Sequence, residues 1–523
     1  MVQFVWLTTD CLLWALIVCL LFYVRHVRHT PPLIVTWRKV FARPVAMSMS
    51  VILLVFLIIA MLDSIHFRRA TITSGANGQN PTQFSQRVES VLDVLLDDLV
   101  QTREKTYSAP LAWQGFTKES MERNGSAIRD YPRLRKGGAH LQNPETEWTT
   151  DVLKRAARGL AHAILATMLC AVFLAAALAQ NSFRHTRSTA AAGAPISHAW
   201  RALWQQQTAL PWRAALVTLG LILAIVLPII ELAPYYHVFG TDKVGADLLY
   251  LALKSIRTAL VIGLLTTLIT LPLAIVLGVC AGYFKGWIDD VIQYVYTTLN
   301  SVPDVLLIAA SVLMLQVFID THAELFPTSA ERADVRLFFL CVILGVTSWT
   351  GLCRLLRAET LKLREQDFVL AARAFGVSHA RILARHIVPN IMHIILISVV
   401  MDFSKLVLAE AVLSYVGVGV DPSTTSFGTM INAARLELAR EPMVWWSLAT
   451  AFSLMFALVL AANLLADEIR AAFDPRASQF RPQRANLGQT GRSTAHLNDL
   501  HPVRWLRQWR QHLRRTQPSK AEG

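Results

Sequence analysis

Nine stretches of the chain stay apolar for long enough to cross a bilayer: residues 4–24, 45–62, 158–180, 213–231, 253–281, 291–318, 337–353, 390–416 and 444–466. A backbone in lipid must satisfy its own hydrogen bonds, so each run predicts a helix. The expected fold class is all-α, a polytopic membrane protein with about nine transmembrane helices. Pro272 and Pro303 fall inside two of the runs and predict kinks. One sizeable polar stretch remains, residues 63–150, with eleven Lys/Arg against eleven Asp/Glu. Within it Val88, Val91, Leu92, Leu95, Leu96 and Leu99 recur at helical spacing, which predicts an amphipathic helix over 83–99. The flanking SGANGQNP and RKGGAHLQNP read as loop. Residues 475–523 carry few aliphatics; Trp505 and Trp509 among Arg504, Arg507, Arg510, Arg514 and Arg515 fit either a basic interfacial helix or a solvated tail.

Composition points the same way. Hydrophobic residues make up 54% and charged residues 16%, with a mean hydropathy of +0.41, beyond what a soluble surface tolerates. Cys11, Cys19, Cys170, Cys280, Cys341 and Cys353 all lie in or beside the apolar runs without CxxC or CxxH spacing. They read as small hydrophobes, not as metal ligands or a disulfide framework. No catalytic or metal-binding constellation stands out.

Lys/Arg bias gives the orientation. Residues 25–44 hold Arg25, Arg28, Arg38, Lys39 and Arg43 with no acid, and 181–212 hold Arg184, Arg187 and Arg201 with none. Loop 354–389 has seven Lys/Arg against three acids, whereas 319–335 has one Arg against Asp320, Glu324, Glu331 and Asp334. The expected topology has an external N-terminus, an external segment 63–157 and a cytoplasmic C-terminus. Met1–Asp10 lacks a basic leader and no A-x-A-like site follows before Arg25, so the first run reads as a retained anchor. The net charge of +14 is then largely topological and gives no reason to invoke nucleic acid.

Residues 368–390, FVLAARAFGVSHARILARHIVPN, place a polar, basic, helix-prone segment between two membrane-length runs. Small residues at Ala371, Ala372 and Ala374 suit a helix that seats in a groove of another protein. Gly376 suits a sharp exit, and Pro389 marks the start of the next helix. An ordinary amphipathic connector is the plainer alternative. The spacing resembles the EAA loop of ABC importer permeases, which implies docking on a cytoplasmic ATPase through Ala371, Ala372, Gly376, Arg381 and Pro389. Leu370 stands where the general loop has Glu, and His386 where it has Ile.

Over about 213–476 the chain resembles the C-type membrane subunit of the dipeptide, oligopeptide and nickel branch of these importers. The resemblance rests on Phe239–Asp247 (FGTDKVGAD), Ser255–Leu260 (SIRTAL), Ala281–Asp289 (AGYFKGWID), Trp445-Trp446, Asn463–Leu465, Asp467 and Phe473–Arg476, in order and separation. Ala246 replaces an Arg of that branch. The resemblance implies a permease core 213–466 with coupling loop 354–389, and residues 1–212 exceed it; hydropathy and charge divide them into two N-terminal transmembrane helices over 1–62, an extracytoplasmic segment 63–157 and a third extra helix with a cytoplasmic linker over 158–212, and leave a basic cytoplasmic tail 467–523.

Ionisable groups inside a span are costly against lipid, so Asp402, Lys405 and Glu410 are candidates for a substrate path; Asp402 and Lys405, three apart, can pair. Polar contacts between helices are the alternative role. The chain has no G-x-x-x-x-G-K-[ST] loop, so no cofactor is expected on it and ATP is expected to be used by a partner. The resemblance implies four kinds of partner: a second, B-type permease, cytoplasmic ATPase subunits, an extracytoplasmic substrate-binding protein and membrane lipid, in a bacterial inner membrane. The implied function is import of peptides or related solutes. A secondary transporter or channel, and a membrane sensor or anchor built on a permease core, are the competing classes. The first leaves the loop spacing unexplained, and the second would make the permease half vestigial.

Overall fold

The computed structural model describes residues 2–72, 82–85, 88–123, 126–185, 200–201, 203–205, 208, 210–326 and 328–473. They belong to one compact unit ending at Asp474, and the segment from Pro475 onward, including the two tryptophans of the tail, lies outside them. Nine helices among the described residues are long and apolar enough to cross a membrane. In chain order the helices are α1 (Thr8–His29), α2 (Pro31–Phe41), α3 (Pro44–Asp63), the short α4 (Val91–Leu95) and α5 (Asp97–Gln101), α6 (Pro144–His185) and α7 (Trp212–Leu232). There follow α8 (Leu248–Phe284), α9 (Trp287–Ser301), α10 (Asp304–Thr321), α11 (Ser329–Arg364), α12 (Asp367–Ala374), α13 (His379–Ile382), α14 (Val388–Val416), α15 (Phe427–Glu437) and α16 (Trp446–Phe473).

The run at 291–318 is not one kinked span. It is α9 and α10, because Pro303 lacks an N–H and Val302 before it is extended, with φ −94° and ψ 133°. Pro272 lies within α8, which continues past it. Helix α11 extends well beyond the expected 337–353, since Asp334, Leu356 and Thr360 outside that run are buried against the bundle.

The expected helix over 83–99 is corrected as well. Thr82–Phe84 (β3) and Glu89–Ser90 (β4) are strands pairing antiparallel with His66–Ile72 (β2), which also pairs with Val2–Phe4 (β1). Helix starts only where the Ser90 side chain accepts from the Asp93 N–H and the Asp93 side chain accepts from the Ser90 N–H. A two-stranded hairpin, Glu119–Arg123 (β5) with Ser126–Asp130 (β6), follows.

The core centres on α8 against α11. Gly278 and Gly282, one turn apart, let the backbones meet: a Cβ at either would lie 2.7 Å from the carbonyl oxygen of Cys353 or Arg357. Helix α3 packs on α7, α8 and α16, and α14 on α8 and α16. The insert 64–143 covers one end of this bundle, meeting the 235–247 loop and the start of α16. Helix α2 lies at the opposite end, against the last turns of α16, in an apolar cluster that Leu396 and Val400 of α14 also join.

Candidate coupling segment and membrane cavity

Helix α12 ends in a Schellman turn: the Val377 N–H donates to the Ala372 carbonyl and the Gly376 N–H to that of Arg373. Gly376 has φ +75°, a conformation that favours glycine, while the space around its absent Cβ is open. The requirement is therefore backbone conformation, with no contact inside the chain. Val369, Ile382 and Ile387 are buried and anchor the segment, and Ala372 and Val377 pack on the same cluster. Ala371 and Arg381 face outward, as do Phe368, Leu370 and Phe375, the last 87% exposed. His379 Nδ1 shares a 2.8 Å hydrogen bond with the Tyr283 hydroxyl, and Arg364 donates to the Tyr283 carbonyl at 2.5 Å. Pro389 stands in the first turn of α14, as expected. It follows a widened π turn, Leu383–Ile387, that joins α13 to α14 and absorbs the donor proline lacks.

Farther along α14, Asp402 and Lys405 pair at 3.0 Å and line a cavity of about 540 Å³. Asn300, Asp304, Thr347, Ser348 and Arg354 contribute to its wall from α9, α10 and α11. The Lys405 side chain is 72% exposed, and Arg354 and Asp304 are exposed too. Lipid would not tolerate such a face uncovered. Glu410 lies elsewhere: it is buried, accepting from Ser414 at 2.7 Å and Ser426 at 2.9 Å, and so ties α14 to the N-terminus of α15.

A second polar site joins the N-terminal helices to the bundle. Tyr250, Lys254 and Arg257 form one stripe of α8. Arg257 donates to Asp10 at 2.5 and 3.0 Å and to the Thr9 hydroxyl at 3.2 Å; Thr9 in turn donates to Asp334 of α11. Ser64 and His66 each contact Asp10 at 2.7 Å. One turn back, Lys254 pairs with Asp93 at 2.7 Å and lies 3.9 Å from Asp63. Thr9, Asp10, Asp63, Asp93, Arg257 and Asp334 are all buried.

Where the insert meets the 235–247 loop, His237 is fully buried with Nδ1 2.7 Å from Asp247 and Nε2 3.5 Å from Glu104. Burial would push the imidazolium pKa down, but Asp247 and Glu104 outweigh it and hold it above the ordinary value. Burial likewise opposes the Glu104 carboxylate, yet the neighbouring His237 and hydrogen bonds from the Arg135 and Lys136 N–H groups bring its pKa below the usual range. The His237 contribution is therefore complete below about 6.5, the free imidazole value, and fades as pH rises through the raised one. The Glu104 contribution is lost instead as pH falls through its lowered pKa. Hydrogen-exchange protection factors of residues 104–111, with the intrinsic base-catalysed rate divided out, should accordingly fall on the alkaline side, and His237→Gln should remove that dependence. A flat wild-type profile would exclude His237 as the link.

The binding-protein-dependent transport system inner membrane component family matches residues 274–479. The oligopeptide transport system permease protein OppC of Mycobacterium tuberculosis is 31% identical over 245 residues, 47% of this chain and 78% of that protein. The chain belongs to this permease family. The dipeptide transport system permease protein DppC of Lactococcus lactis is 31% identical over 243 residues (46% and 65%), and a putative peptide permease protein of Brucella suis is 30% identical over 243 (46% and 74%). An inward-facing structure of the MetNI methionine ABC transporter aligns at a TM-score of 0.32 and 18% identity, covering 43% of this chain and 96% of that one, too distant to bear on the fold.

The protein is thus a permease subunit of an ABC importer, a multi-pass inner-membrane transport component that works with ATPase and substrate-binding partners. The family match begins inside α8, so the Lys254 and Arg257 contacts with the first 93 residues lie N-terminal to it. Sequence reasoning missed this network. Its signal was two cations within the first turns of an apolar helix, with aspartates at the margins of the first two spans. Phe375 was missed as well, although it stands beside the glycine that exposes it.

Proposed function

We propose that this permease imports peptides or related small solutes delivered by an extracytoplasmic binding protein, forming one half of a pore with a B-type permease. ATP is bound and hydrolysed in separate cytoplasmic ATPase subunits, which dock on the α12 face. The observation that carries this reading is that the outward-facing segment 368–381 runs through α13 and a π turn into α14, whose Asp402 and Lys405 line the cavity. At 1.5 Å per residue, a push at Ile387 reaches Asp402 roughly 22 Å along one helix. The mixed cavity wall of Asp304, Asp402, Arg354 and Lys405 suits a zwitterionic solute, and its exposed charges call for a polar covering from the second permease. Relatives named for peptide transport support the substrate class. The N-terminus and insert face outward, and the α12 end faces the cytoplasm.

In sealed vesicles holding both permeases and ATPase, peptide uptake should need ATP on one side and binding protein on the other. Phe375→Cys should label from the ATP side and Ser120→Cys from the binding-protein side. Uptake without ATP, or labelling of both positions from one side, would refute the proposal. Uptake with this chain as the sole permease would count against the heterodimer.

A further inference from the structure

We propose that α2, together with the end of α1, is a binding site for anionic phospholipid headgroups. No Asp or Glu occurs between residues 11 and 62, whereas Arg25, Arg28, Arg38, Lys39 and Arg43 all do. Arg43 pairs with Glu468 of α16. The other four cations are exposed and have no carboxylate partner among the described residues. Such a concentration of unneutralised charge at the end of two spans attracts anionic headgroups.

The geometry fixes the source as the leaflet. Helix α2 is joined to α1 through Thr30 alone and to α3 through Ala42 and Arg43, so it cannot leave the plane where two spans end. Its inner face is held: Val40 is fully buried with Ala46 and Ile469, and Trp37 packs edge-on to Phe473 at 5.5 Å and receives no freedom from Tyr23, to whose hydroxyl its Nε1 donates at 3.2 Å. Its outer face carries Ile34 and Val35, 41% and 55% exposed, beside Arg38 and Lys39. Apolar groups to meet acyl chains, cations to meet phosphate, and a Trp/Tyr pair at the level between them form an interfacial helix. A protein partner would explain the charges but not the exposed Ile34 and Val35 alongside them. Because α2 packs on α16 within an apolar cluster that Leu396 and Val400 of α14 also join, a bound lipid would brace the helix that leads out of the coupling segment.

The test uses the purified full chain in nanodiscs of mixed phosphatidylcholine and phosphatidylglycerol, with the lipid retained on detergent extraction measured by mass spectrometry. Wild type should retain phosphatidylglycerol in preference by at least about tenfold, given roughly fivefold per cation at the surface. The combined variant Arg25→Gln, Arg28→Gln, Arg38→Gln, Lys39→Gln should lose that preference while melting as wild type does in phosphatidylcholine alone. If the combined variant fails to fold, Arg38→Gln and Lys39→Gln singly should each give a partial loss. Equal retention in wild type and variant, or no preference in wild type, overturns the proposal. So does competition by glycerol phosphate or inorganic phosphate, which would mark a small-anion site.

Discussion

Asp10→Asn should destabilise the whole permease core, although residue 10 lies far outside the matched family region. Asp10 is the carboxylate that Arg257 grips through two nitrogens, with both groups buried. Removing one partner of a buried pair leaves an uncompensated charge and costs about 3–5 kcal/mol. Thr9 and Asp334 lie close by but keep their hydrogen bonds to one another, so they relieve only part of that loss. Replacing both partners by neutral groups removes the penalty, and Asp10→Asn/Arg257→Met should regain most of the lost stability. The measurement is the thermal midpoint of the purified chain for wild type, both single variants and the double, read as a mutant cycle. Independent, additive losses would show that the N-terminal helices are a separable attachment. Strong coupling would make them part of the core.

The sequence carried the lipid-crossing architecture clearly, since nine long apolar runs can satisfy their backbones in only one way. It carried local breaks less well. Pro272 and Pro303 look alike in the chain, yet one is tolerated inside α8 and the other separates α9 from α10. The insert was the least legible part. The helical spacing runs only from Val88 to Leu99, and β2, upstream, offers ladder partners to 82–84 and 89–90, so tertiary pairing overrides a weak local preference there. Contacts between Thr9 and Asp334, or Asp10 and Arg257, join positions hundreds of residues apart, and no local pattern encodes such pairings. For the candidate site, the spacing of Ala371, Ala372 and Gly376 located the segment. It could not separate Ala371, which faces outward, from Ala372, which is spent on the chain's own packing. Asp402 and Lys405 reached one cavity because they share a helical face, while Glu410, two turns on, serves the α14–α15 junction.

Those differences sharpen the test of coupling. Gly376→Asp should abolish uptake and ATPase retention together while the chain still inserts and folds. Its Cβ meets nothing within the chain, so the internal cost is confined to backbone strain at φ +75°, about 1–3 kcal/mol and local to the turn. The larger effect is a charge placed beside Phe375 on the surface that must be desolvated at the docking contact. Two companions separate strain from docking. Ala371→Glu adds a charge on the exposed face without disturbing the turn, and Phe375→Asp removes the most exposed aromatic of the segment, the kind of residue on which interface energy concentrates. All three should lower uptake by at least about tenfold, equivalent to roughly 1.4 kcal/mol or more at the interface. Thermal midpoints of Ala371→Glu and Phe375→Asp should stay at the wild-type value, because neither side chain supports the fold. Loss of uptake with ATPase retention intact would move the fault from docking to the transmission of force through the π turn. Normal uptake and retention in all three would remove the 368–381 segment from coupling altogether.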